Sequence, residues 1–75
     1  MDYLLTFHTQ LDAVIARKSL TSKNIKIKLA PVPRALSSSC GTCARAYSVS
    51  KDDLRGINME SLYIIKDEKY IEDQI

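Results

Sequence analysis

Two cysteines, two prolines, two glycines and one histidine are all that 75 residues offer of the types that staple, break or ligate. So little glycine and proline, with no repeat and no biased tract, excludes a low-complexity or solenoid chain. One histidine, His8, and two thiols cannot fill a tetrahedral metal site, which takes four ligands. A zinc or iron–sulfur centre would need a second chain bringing its own pair, so no metal and no cofactor are expected. No apolar run approaches the ~20 residues that cross a bilayer. The opening "MDYLLTFHTQ" makes a poor signal peptide, with an acid after the initiator and too short an apolar run. The expected setting is therefore the cytoplasm, without a membrane.

Neither sign of charge dominates: the formal net charge is +2. The cations Arg17, Lys18, Lys23, Lys26, Lys28 and Arg34 cluster early, and most carboxylates fall after residue 51. RNA modules add stacking aromatics to such a basic face, and this basic stretch has none. A solvated surface is the expectation, not a nucleic-acid site. At this length there is room for one domain, 1–75, with a small core; folding buries only about 60% of what the unfolded chain exposes.

Periodicity places the elements. "YLLTFH" alternates as a strand, and Thr9 offers an N-cap to the helix "QLDAVIARKSL". That helix has two apolar sides, Leu11, Val14 and Ile15 on one and Ala13, Ala16 and Leu20 on the other. A helix on a small sheet needs one; the second suits either a loosely patterned surface, the blander expectation, or a subunit contact in a homodimer. "NIKIKLAPV" is the cleanest strand, ended by Pro31 and Pro33, which cannot donate to a ladder. "RALSSSCG" is a loop, "CARAYSV" a short strand, and "SKDD" a capping signal for a two-turn helix over "KDDLRGIN". "SLYIIK" is a strand and "DEK" a turn, while "YIEDQI" suits either a returning strand or a frayed tail. The order predicts an α+β fold of the ferredoxin-like kind, a β-α-β-β-α-β split sandwich with both helices on one face of the sheet.

The remaining signal is the C-x-x-C of Cys40 and Cys43. Disulfides seldom persist in the cytoplasm, and closing so short a loop adds little stability, which argues against a staple. A thioredoxin-type pair sets its first thiol at a helix N-terminus, whereas the segment after Cys40 reads as strand. A thiol–disulfide switch in another context stays open. So does a nucleophilic loop cysteine that accepts sulfur or selenium. That chemistry asks for an accessible thiolate, positive charge and donors for the terminal chalcogen. Arg34 supplies charge, Ser37, Ser38 and Ser39 hydroxyls, and the Gly41 backbone N–H a nest. Cys40 lies in this loop, while Cys43 opens a strand and turns inward.

The run "YLLTF…DAVIARKSL…NIKIKLAPVPRALSSSCG" resembles the small bacterial proteins of the putative selenium/sulfur carrier protein-like family. The signature P-R-x-x-S-x-x-C-G falls on Pro33, Arg34, Ser37, Cys40 and Gly41. The resemblance implies that Cys40 is the carrier cysteine, with Arg34, Ser37 and Gly41 around it. It also implies a transfer module between a desulfurase-like donor enzyme and an acceptor protein, without turnover of its own. Two residues depart from the pattern. Asn24 stands where members often have glycine at a turn, and Cys43 adds a thiol that would resolve a Cys40 persulfide as a disulfide.

Overall fold

The structure, a computed structural model, describes residues 1–74. Tyr3, Leu5 and Phe7 of the first alternating run point to one side and are buried, and strand β1 spans Asp2–Thr6. Thr9 caps helix α1, Gln10–Thr21, by accepting the Asp12 N–H at 3.2 Å. The helix ends where Asn24 turns left-handed, at φ 63°. There the Ile25 N–H reaches the Leu20 carbonyl at 3.1 Å and the Asn24 N–H reaches Thr21 at 3.0 Å. This paired closure is the usual way to satisfy the last helical carbonyls.

Strands β2 (Ile27–Pro31) and β3 (Thr42–Ala46) flank the cysteine loop, and β4 (Ser61–Lys66) and β5 (Lys69–Asp73) form a hairpin. The sheet runs β2-β3-β1-β4-β5 with every neighbouring pair antiparallel. β1 and β2 are therefore parallel with β3 between them, joined through α1. The hairpin turns on Asp67 and Glu68, both left-handed at φ 52° and 63°. Of the two readings of "YIEDQI", the strand is the one formed; Ile75 lies outside the described residues.

The expected two-helix ferredoxin-like sandwich is met only in part. There is one α-helix, and the sheet has five strands. The segment expected as a second helix makes a 3₁₀ turn, Lys51–Leu54. Ser50 and Asp53 do build the capping interaction, the Ser50 N–H reaching Asp53 Oδ2 at 3.2 Å. The turn ends at Leu54: Arg55 is already extended, with ψ 140°, and Gly56 follows at φ +84°. A capping signal starts a turn; it does not supply the helical residues to extend it.

Leu54 nonetheless plugs the same core as α1, so turn and helix share one face of the sheet. Ala13 and Ala16 lie over β3 with Ala44 and Ala46 beneath, four small side chains that let helix and sheet approach closely. Phe7, Leu5, Leu20 and Leu62 fill the remainder. Burying one such side chain is worth about 1.5–3 kcal/mol. The Leu11, Val14 and Ile15 side of α1 stays exposed. No helix among the described residues is long and apolar enough to cross a membrane.

Candidate functional site

The β2–β3 connection, residues 32–41, carries every residue of the P-R-x-x-S-x-x-C-G signature. Its base is closed by the Val32 N–H donating to the Gly41 carbonyl at 3.2 Å, and Gly41 takes φ +74° to reverse the chain. Pro33 to Leu36 form a turn in which the Leu36 N–H reaches the Pro33 carbonyl at 3.0 Å. Arg34 and Ser37 are exposed on this turn. Among the described residues neither side chain makes a hydrogen bond or ion pair.

The second half of the loop is fastened to the protein. Ser38 Oγ donates to the Phe7 carbonyl at 3.0 Å, just past the end of β1. Ser39 donates its N–H to Glu60 Oε1 at 3.0 Å and its hydroxyl to Oε2 at 2.6 Å. Glu60 is itself fixed by its N–H on the Thr6 carbonyl at 2.7 Å. His8 Nδ1 stands 3.5 Å from Glu60 Oε2. The Ser39 hydroxyl first, then its N–H and the nearby imidazole, hold the Glu60 carboxyl below the usual carboxylate range.

Cys40 follows directly on this clasp. It is half-buried against the helix-side core, with Sγ 3.4 Å from the Thr42 carbonyl and 3.9 Å from Ser38 Oγ. Cys43 has a different environment. It pairs with Thr6 and Ala30 on the sheet face away from α1, and it is 1% exposed. Its Sγ lies 3.5 Å from the Pro31 carbonyl, beside a shallow pocket of 260 Å³ that Leu4, Ala30, Pro33 and Tyr70 also line. Burial pushes the Cys43 thiol up, and the neighbouring Cys40 adds to that.

Both cysteines are free, and the residue alternation of β3 turns Cys43 away from the core that Cys40 touches. Of the residues singled out in the sequence, the loop brings Cys40 and Gly41 together, with Arg34 and Ser37 out at the turn. Ser38 and Ser39, offered in the sequence with Ser37 as hydroxyls, flank Cys40, while Glu60, unremarked there, and His8, set aside as a ligand, are the neighbours that the fold adds. Among the described residues no three of His, Cys, Asp and Glu converge as metal ligands would.

The sequence profile of the family described as Putative Se/S carrier protein-like matches residues 2–69. The chain belongs to that family. No curated protein and no solved structure matches it. The family match covers all of the cysteine loop and Glu60, so the clasp lies within the family region of the chain.

Proposed function

We propose that Cys40 carries sulfane sulfur or selenium between a donor enzyme and an acceptor protein. In the loading step the Cys40 thiolate attacks the terminal sulfur of a donor persulfide. The donor's S–S bond breaks, a new S–S bond forms on Cys40, and the donor leaves as its thiolate. Delivery repeats the exchange in the other direction, with an acceptor thiolate as nucleophile, so no external oxidant or reductant is required. A selenium atom passes by the same exchange.

The observation that carries this reading is the contrast between the two thiols. Cys40 is reachable on a loop whose neighbouring residue is clasped to Glu60, while Cys43 is sealed on the far face of the sheet. A one-thiol carrier needs the first environment and makes no use of the second. Ser38 Oγ stands 3.9 Å from Cys40 Sγ, and would donate to a terminal chalcogen only by giving up the Phe7 carbonyl. Arg34 and Ser37, exposed on the turn, suit recognition of a partner at close range.

Incubation with a cysteine desulfurase and cysteine, followed by intact-mass measurement, tests the proposal. The expected result is gain of one sulfur, lost in Cys40→Ser and reversed by reductant. A loss of two hydrogens without retained sulfur would instead make the pair a thiol–disulfide switch. No adduct in any variant would leave a plain interaction module.

A further inference from the structure

Among the described residues the sheet ends at β2 on one side and β5 on the other. An unpaired edge offers its outward N–H and C=O groups to any extended chain, and proteins blunt it with proline or charge. β2 is blunted. The Tyr47 N–H on the Lys26 carbonyl and the Val32 N–H on the Gly41 carbonyl place its even-numbered residues toward β3. Ile27, Leu29 and Pro31 therefore turn their backbone outward, and Pro31 has no N–H to give.

β5 has no proline. Lys66 and Lys69 close the two-residue hairpin turn, and such a closing pair exchanges its backbone bonds. By alternation Ile71 and Asp73 also bond toward β4, while Tyr70 and Glu72 turn their N–H and C=O outward. The side chains of Lys69, Ile71 and Asp73 share the α1 face with Ile64 and Leu62. Ile71 is 49% exposed there, although Ile64 beside it packs against the core. Lys69 faces Lys66 and has no ion pair among the described residues.

We propose that β5 pairs antiparallel with β5 of a second copy, on a two-fold axis through Ile71, joining two sheets edge to edge. The charges on this edge would turn most strands away, but they are complementary to the same strand reversed. Ile71 meets Ile71, Lys69 meets Asp73 of the second copy, and Tyr70 meets its Glu72. Tyr70 and Glu72 then exchange their outward backbone groups. The Ile71 and Lys69–Asp73 pairs fall at the closer positions without backbone bonds, where facing side chains interact. Asp73 already holds Lys51 at 3.0 Å, so it comes to lie between two cations, and Lys69 gains the opposite charge its own hairpin lacks. Moving the axis to Glu72 would set Glu72 against itself and Ile71 against Asp73; moving it to Tyr70 would set Ile71 against Lys69. The cysteine loop lies toward the Asp73 end of β5, so the two-fold sends the two loops to opposite ends and leaves each Cys40 free. The pairing thus stands independently of the carrier reading.

Sedimentation equilibrium of the reduced protein over a range of concentrations should show a monomer–dimer equilibrium. Lys69→Asp relieves the lysine pair within the hairpin but sets like charges across the axis, and should weaken the dimer roughly tenfold. Adding Asp73→Lys should recover part of that loss. Ile71→Cys in a Cys40→Ser background, oxidised with glutathione disulfide, should cross-link as a dimer, because facing positions of this kind bring Cα atoms to about 4.5 Å. Lys69→Cys in the same background should not. A protein that stays monomeric and fails to cross-link through Ile71→Cys overturns the proposal. So does a dimer that ignores Lys69→Asp and is lost in Leu11→Ser, which assigns the contact to the exposed side of α1.

Discussion

Ser39 gives both its N–H and its hydroxyl to one carboxylate, that of Glu60, across a sequence separation of 21 residues. The two bonds fix the backbone immediately before Cys40. They also tie the β2–β3 loop to the entry of β4, so the thiol's position depends on two distant parts of the chain.

Glu60→Gln should release that clasp in part, since an amide accepts fewer and weaker hydrogen bonds than a carboxylate. Alkylation of Cys40 by a small reagent is expected to quicken several-fold while the fold persists. Acid should act in the same direction on the wild type. Because the folded-state pKa of Glu60 lies below its unfolded value, the stabilisation is complete above the ordinary carboxylate range and disappears as pH falls through the folded value. The Ser39 amide resonance should report that titration, and Glu60→Gln should flatten it. A Ser39 shift that ignores both acid and substitution contradicts the clasp.

Competitive alkylation of the native protein should label Cys40 far ahead of Cys43, with the two equalising in denaturant. The burial of Cys43 also sets a pH dependence of opposite sense to that of Glu60. Its thiol pKa is raised by folding, so its contribution is intact below the unfolded thiol value and is lost as pH rises towards the folded one. Denaturant midpoints measured across the alkaline range should therefore fall less steeply in Cys43→Ala than in the wild type.

Cys43→Ala should cost about 1 kcal/mol or somewhat more from lost packing, yet leave sulfur loading of Cys40 unchanged. Resolution of a Cys40 persulfide by Cys43, expected from sequence spacing alone, requires the start of β3 to come apart first. The lifetime of a bound sulfur, followed by mass, should thus be similar with and without Cys43. A markedly longer lifetime in Cys43→Ala would mean that this strand opens readily.

Left-handed backbone at two side-chain-bearing positions offers a separate test. Glu68→Gly should raise stability by about 1 kcal/mol, because a two-residue hairpin of this kind needs positive φ and glutamate adopts it at a cost. Asn24→Gly should gain less, since asparagine tolerates that region better. Equilibrium denaturation of each variant reads both effects.

Much of the sheet was legible because Ile25, Ile27 and Leu29, or Tyr3, Leu5 and Phe7, alternate cleanly with other residues. The same alternation, with Ala44 and Ala46 facing α1, sets Cys43 on the opposite face of the sheet, buried there and not in the core under the helix. That the expected second helix stays a 3₁₀ turn was not legible, because Ser50 and Asp53 cap either one and the chain leaves the turn already at an extended Arg55. Three successive serines are indistinguishable locally. Only the approach of the Phe7 carbonyl and Glu60 separates Ser38 and Ser39 from the exposed Ser37. Glu60 itself reads as one more solvated acid ahead of a strand, and His8 as a surface histidine, until the fold sets them 3.5 Å apart.

The central place of β1 has a consequence for how the molecule comes into being. Its two partners are residues 43–46 and 61–65, so the first strand made waits longest for its neighbours. Pairings this distant are slow to form, since loop closure must precede the contacts that reward it. During synthesis the cysteine loop emerges before Glu60 exists to hold it. Nascent chains therefore pass through an interval in which Cys40 is unrestrained, and Cys43 has no completed sheet to shelter it. Both thiols are open to oxidation then: Cys43 is sheltered once β3 pairs with β1 and β2, and the loop of Cys40 is held only when Glu60 arrives for Ser39.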